Sequence, residues 1–107
     1  GQCCGVVAPG PDRDGRTPAK VRTYSISSPA AGDDGSGTTL SLTIKRLVED
    51  DGPHGAYLGV SSNFLCDLKP GDPVSLTGPT GEMLLPRDPD SNLLMVATGT
   101  GVAPFRS

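Results

Sequence analysis

The run Arg22-Thr23-Tyr24-Ser25 places a cation, an aromatic ring and two hydroxyls within four residues. On an extended segment Arg22, Tyr24 and Ile26 project to one face while Thr23 and Ser25 project to the other. A guanidinium grips a diphosphate through charge-assisted, forked hydrogen bonds, and a neighbouring ring stacks on a planar heterocycle for about 0.5–1.5 kcal/mol beyond the area it buries. A dinucleotide offers both groups. The same four residues also suit a surface arginine beside a half-buried tyrosine of a β-protein. Two more segments invite a nucleotide. Gly59-Val60-Ser61-Ser62-Asn63 precedes a short helical run, where free N–H groups and hydroxyls suit phosphate oxygens or ordinary helix capping. Thr98-Gly99-Thr100-Gly101 reads as a strand-turn-helix junction whose glycines admit close backbone approach, or as a plain tight turn.

The elements that must carry these residues are short. Gln2 to Val7 predicts a strand stopped by Pro9-Gly10-Pro11, followed by an exposed polar stretch from Asp12 to Pro18 and a second strand over Val21 to Ser27. Ala30 to Gly37 is a loop, and the alternation of Leu40, Leu42 and Ile44 with Ser41, Thr43 and Lys45 predicts a half-buried strand. The acidic run Glu49-Asp50-Asp51 before Gly52-Pro53 reads as a solvated turn. Asn63 to Leu68 predicts the one short helix, with Ser61 or Ser62 as its N-cap and Lys69-Pro70-Gly71 closing it. Val74 to Thr77 and Met83 to Leu85 then predict two strands around the turn Gly78-Pro79-Thr80-Gly81. Beyond the polar linker Arg87 to Asn92, the continuously apolar Leu93 to Ala97 suits a parallel strand covered on both faces, with Pro104 near the first turn of a following helix. Such a strand lacks sheet partners within the chain, so residues 93–107 are expected to open a second, truncated domain after a first domain over 1–86 and a linker over 87–92.

Composition narrows the partners. A chain of 107 residues supports one small core, and 15 Gly with 11 Pro favour short strands over long helices. A net charge of −3 argues against non-specific nucleic-acid binding, which rests on clustered cations. No apolar run approaches the roughly 18 residues that span a bilayer, so the chain is expected not to be integral to a membrane. It opens on Gly1 rather than Met, which leaves room for preceding sequence or a targeting peptide. Cys3, Cys4 and Cys66 lack metal-ligand spacing and read as free, partly buried thiols. His54 has no partner at ligand spacing, so no metal is expected.

Taken in order, RTYSISS at Arg22 to Ser28, LTIKRLV at Leu42 to Val48, GVSSNFLCDLKPGD at Gly59 to Asp72, GPTGEMLLP at Gly78 to Pro86 and ATGTGVAPFRS at Ala97 to Ser107 resemble ferredoxin–NADP+ reductase of the plant and cyanobacterial type. The resemblance covers nearly the whole chain. It implies a mainly β fold, with an FAD domain built as a Greek-key antiparallel β-barrel carrying one short helix, then the start of a parallel α/β domain for NADP(H). By this likeness Arg22 contacts the FAD diphosphate, Thr23 follows it on the cofactor strand, Tyr24 stacks on the isoalloxazine ring, and Ser25, the catalytic candidate, lies near flavin N5. Thr43, Ile44 and Lys45 line the FAD site. Val60, Ser61 and Ser62 meet the diphosphate, and Ser25, Lys45 and Thr100 reach NADP(H).

The implied reaction passes electrons singly from reduced ferredoxin, or flavodoxin, to FAD and then a hydride to NADP+, in a chloroplast at the stroma or peripherally on the thylakoid, or in a cyanobacterium. Arg13, Arg16, Lys20 and Arg87 are the candidate cations for acidic ferredoxin, diluted by Asp12 and Asp14. Three positions depart from the pattern: Thr23 replaces a leucine, Glu49 stands where an aromatic usually packs on adenine, and Ser61 stands where a cysteine is usual. The alternatives are the flavin domain of a diflavin NADPH reductase, which shares a related RxYS motif and GTGxAP turn, and a non-catalytic flavin-binding barrel. Residues 1–107 alone are expected to be inactive and to retain FAD weakly or dissolve poorly, with edges and apolar surface uncovered.

Overall fold

The computed structural model describes residues 1–50, 53 and 55–107. His54 and the Asp51-Gly52 part of the acidic turn lie outside these described residues. Among the described residues five strands form, β1 (Cys3–Val7), β2 (Arg22–Ser25), β3 (Val48–Glu49), β4 (Tyr57–Leu58) and β5 (Ser75–Thr80), with helix α1 (Val60–Asp67) between β4 and β5. A 3-10 turn, Gly99–Val102, runs into a single helical turn, α2 (Ala103–Arg106). The architecture is mainly β with few helices, as expected. One sheet has the order β2-β1-β5, and the other is an antiparallel pair in which Val48 faces Leu58 and Glu49 faces Tyr57.

Two compact units divide the chain: one takes Gly1–Cys4, Tyr24–Thr43 and Gly78–Ser107, the other Gly5–Thr23 and Ile44–Thr77. In the second unit, Val6, Ala8 and Ala19 are buried, and the Ala19 N–H donates to the Ala8 carbonyl at 3.0 Å. Small residues are needed where strands close up. A side chain at Gly5 would meet Thr77 Oγ1 and stand 2.7 Å from Val21 Cγ1. Gly5→Ala is therefore expected to destabilise the fold by about 1–3 kcal/mol, read as a lower denaturation midpoint at unchanged slope. In the first unit the buried set is Cys4, Ser27, Ser28 and Ala103, and the Ile26 N–H donates to the Gln2 carbonyl at 2.8 Å.

The structure corrects several elements expected from sequence. The alternating segment 40–45 is not a strand; it contributes one antiparallel bridge, Leu42 to Ile26. Side chains take the place of ladder partners there: the Ser41 N–H donates to Ser28 Oγ at 3.0 Å, while both the N–H and hydroxyl of Ser27 donate to the Ser41 carbonyl. Gly78-Pro79 is not a hairpin turn, because β5 runs through it, and Met83 to Leu85 form no strand. Pairing in the sheet keeps this segment extended. Gly78, at a φ of +105°, lies so close to β1 that a Cβ would sit 3.2 Å from the Cys3 carbonyl oxygen, an approach a side chain would obstruct. The third correction is the start of α1, where Gly59 is the N-cap and Ser61 and Ser62 lie buried inside the first turn.

A further correction falls on residues 93–97, expected as a parallel strand covered on both faces: no described segment pairs with them, they carry no strand, and Leu94 is 91% exposed. No helix among the described residues is long and apolar enough to cross a membrane. Cys3 is half-buried, Cys4 buried and Cys66 exposed, all as free thiols. Burial first, and neighbouring Cys3 second, push the Cys4 thiol above its ordinary value, so it stays protonated at neutral pH.

Candidate functional site

Burial along β2 grades instead of alternating: Arg22 and Thr23 are exposed, whereas Tyr24 and Ser25 are half-buried. Arg22 and Thr23 are the second unit's share of the strand, and among the described residues the Arg22 guanidinium makes no ion pair or side-chain hydrogen bond. Strand pairing thus fixes the backbone and leaves the cation available. Ser25, in the first unit, has its Oγ 3.8 Å from Cys3 Sγ on the adjacent strand.

In the second unit, segment 44–47 and α1 form one hydrogen-bonded assembly. Ile44 is half-buried and Lys45 exposed. Ser62 Oγ accepts from the Leu47 N–H at 3.1 Å and donates to the Gly59 carbonyl at 3.3 Å. The Gly59 N–H donates to the Leu47 carbonyl at 3.0 Å. Asn63 Nδ2 donates to the carbonyls of Leu47 and Gly59 at 2.9 and 2.7 Å. Arg46 reaches over the helix, donating from Nη1 to Asn63 Oδ1 at 2.8 Å and from Nη2 to Asp67 Oδ1 at 2.6 Å. Sequence reasoning singled out Ser62 and missed Arg46, Asn63 and Asp67. Their only local signal is the three-to-four-residue spacing of Asn63 and Asp67 on one helix face.

The Ser62 hydroxyl is thus committed to backbone, and α1 has no side-chain N-cap. What its start offers a ligand is backbone N–H: the first turn of any α-helix lacks intrahelical acceptors for these donors, and the helix dipole favours anions there. An exposed cation on β2 and an uncapped helix start suit a diphosphate in kind, so the donor set of this unit fits an anionic dinucleotide. Glu49 lies opposite Tyr57, whose ring has the Arg13 guanidinium 5.2 Å from its centroid. Arg13, Arg16 and Lys20 stand on a loop pinned by Asp12, which accepts the backbone N–H groups of Asp14, Arg16 and Lys20 at 2.9, 2.9 and 3.1 Å. These bonds, that of Arg16 foremost, hold the Asp12 carboxyl below its usual range.

The first unit also contains Tyr24, Thr43 and Thr100, with Tyr24 and Thr43 half-buried and Thr100 exposed in the 3-10 turn. The Ala103 N–H donates to the Thr100 carbonyl, so the turn and α2 are continuous. Arg106 anchors α2, donating to the Ser27 carbonyl at 2.5 Å and pairing its Nη2 with Asp33 Oδ1 at 2.9 Å. The Arg106 guanidinium first, and the Ser41 hydroxyl second, hold the Asp33 carboxyl below the usual carboxylate range. A depressed folded value means the contact contributes fully above the unfolded value of about 3.9 and is lost as pH falls through the lower folded one. Hydrogen-exchange protection of the α2 backbone N–H groups, taken relative to the intrinsic rate at each pH, should hold from about pH 7 to 5 and fall in stronger acid, and Asp33→Asn should remove that acid step.

No group of three or more histidine, cysteine or acidic side chains that could hold a metal ion occurs among the described residues. No family model matches the chain. Individual relatives match it throughout. It is 56% identical over 108 positions to the chloroplastic ferredoxin–NADP reductase, leaf isozyme 1, of Oryza sativa subsp. indica, covering 100% of this chain and 30% of that protein. Identity is 54% with leaf isozyme 1 of Arabidopsis thaliana and 53% with the cyanelle ferredoxin–NADP reductase of Cyanophora paradoxa, at the same coverage. The chain thus spans 30% of the length of these relatives. A mutant ferredoxin–NADP+ reductase of Plasmodium falciparum, solved with 2′P-AMP, superposes at a TM-score of 0.69 and 31% identity, covering 98% of this chain and 36% of that one. That likeness agrees with the β-barrel class implied by the sequence motifs.

Proposed function

We propose, from the premise that this chain is homologous along its whole length to plant-type ferredoxin–NADP reductases, that it forms the FAD-binding part of such a reductase together with the first turn of its NADP(H)-binding part. The domain limits proposed are 1–86 and 93–107, joined by 87–92. The observation that carries the reading is that the second unit holds both an exposed Arg22, without a side-chain partner among the described residues, and an α1 start with no side-chain cap, two features that suit the diphosphate of a dinucleotide in kind.

Bound FAD would supply the conversion between one-electron and two-electron carriers. The chain's residues bind and orient. Arg22 neutralises the diphosphate, joined by the backbone N–H groups of Val60, Ser61 and Ser62. Tyr24 would cover the isoalloxazine ring and exclude water from it, and Thr23, Thr43, Ile44 and Lys45 are each proposed as further cofactor contacts. The Ser25 hydroxyl would hold a hydrogen bond at flavin N5, and Lys45 and Thr100 would hold NADP(H). With Glu49 exposed on β3, the adenine is gripped without an aromatic from that position.

Reduced ferredoxin, or flavodoxin, is the proposed electron donor, met by Arg13, Arg16 and Lys20 on the Asp12-pinned loop, with Arg87 contributing. The names of the plant relatives support a chloroplast location, and peripheral attachment to the thylakoid is a further part of the proposal. In the FAD-loaded parent enzyme NADPH should bleach the flavin absorbance, and reduced ferredoxin should drive NADP+ reduction. Flavin absorbance that NADPH fails to bleach would overturn this reading in favour of a barrel that only binds flavin.

A further inference from the structure

Asp67, Arg46, Asn63 and Gly59 form a chain of contacts ending at the first turn of α1. Asp67 fixes one arm of the Arg46 guanidinium and the other arm fixes the amide oxygen of Asn63. That choice of acceptor turns the Asn63 amide nitrogen toward the carbonyls of Gly59 and Leu47. The two ends of the assembly, segment 44–47 and the N-cap, are thereby joined through a planar fork that a flexible ammonium cannot reproduce. Glycine at the junction lets them meet: a Cβ at Gly59 would stand 2.7 Å from Ser62 Oγ and 2.8 Å from Leu47 Cβ. The carboxyl of Asp67 is held below its usual range, chiefly by the hydrogen bond from Arg46, so the fork stays charged on both sides at neutral pH.

We propose that Arg46 is a positioning residue for dinucleotide selection, holding the first turn of α1 against segment 44–47 so that its N–H groups converge on the diphosphate bridge. The inference rests on the reading that FAD places its diphosphate at this helix start. Arg46 touches no cofactor atom in this scheme. Its influence is confined to the phosphate-bridge end and does not extend to the ring stacked on Tyr24. FMN carries the same ring and lacks the diphosphate bridge, so the two flavins separate positioning from general structural support.

The experiment measures dissociation constants for FAD and FMN on the apo form of the parent enzyme, for wild type, Arg46→Ala, Arg46→Lys and Asp67→Asn, with denaturation midpoints as a control. Arg46→Ala should weaken FAD about tenfold and FMN less than twofold, Arg46→Lys should restore part of the loss, and Asp67→Asn should weaken FAD about threefold. Should Arg46→Ala fail to fold, the lysine and asparagine variants decide by the same ratio. Equal losses for both flavins, or no loss for FAD, would overturn the inference while leaving the flavin site standing. A wild-type protein that binds no FAD would instead sink the underlying reading and the inference with it.

Discussion

Arg22→Ala in the FAD-loaded parent enzyme is expected to weaken FAD binding by about 10- to 100-fold, since a hydrogen bond to a charged group contributes roughly 1.5–3 kcal/mol. The fold should tolerate the change. Arg22 is exposed and, among the described residues, anchors nothing in the protein, so surface substitution there costs little stability. Titration of the apo variant with FAD, followed by flavin fluorescence, reads the affinity, and a denaturation curve reads the stability. Loss of affinity at constant stability is the predicted pair of results. An unchanged affinity would remove the guanidinium from the site.

Ser25→Ala is the second large effect. If the hydroxyl stabilises charge at N5 as hydride moves, deleting it should slow flavin reduction by NADPH on the order of a hundredfold. FAD content should stay near one per protein, because the proposed diphosphate contacts, at Arg22 and the start of α1, do not involve Ser25. Among the described residues the hydroxyl's hydrogen-bond partner is Cys3 Sγ at 3.8 Å, a weak partner that leaves it able to serve a ligand. Rapid-mixing absorbance measures the rate directly. A variant that reduces its flavin as fast as wild type would show that Ser25 is a wall residue only.

Both residues stand out as candidates in the sequence because a short motif carries their types and order, and the structure places both on β2. Neighbouring valines and a proline stop likewise made β1 readable, and the Lys69-Pro70-Gly71 stop fixed the end of α1. The helix start was misread for a physical reason: serine usually caps through its side chain, but Ser62 turns its hydroxyl inward to Leu47 and Gly59. Period-two hydrophobicity at Leu40 to Ile44 was equally misleading, since serine side chains intercept the backbone groups that a ladder would use. Gly78-Pro79 has the composition of a turn and the neighbours of a strand, and the approach to Cys3 decides between them.

The contacts that arrange the site were hardly visible at all. Arg106 and Asp33 lie 73 residues apart, and nothing near either one announces the other. Arg46 sits 17 residues before Asn63 and 21 before Asp67. Motifs reveal the groups that would face a ligand, whereas the polar fasteners behind them depend on which segments the sheet and helix bring together. Burial tells the same story on β2, where alternation was expected and a gradient from exposed Arg22 to half-buried Ser25 is found.

A high-resolution structure of the FAD-loaded parent enzyme tests the central claim most directly. The account predicts the Arg22 guanidinium forked on the diphosphate oxygens, the Tyr24 ring stacked on the isoalloxazine and the α1 amides turned toward the phosphates. FAD bound elsewhere, or found with Arg22 and Tyr24 both turned away from it, would contradict it.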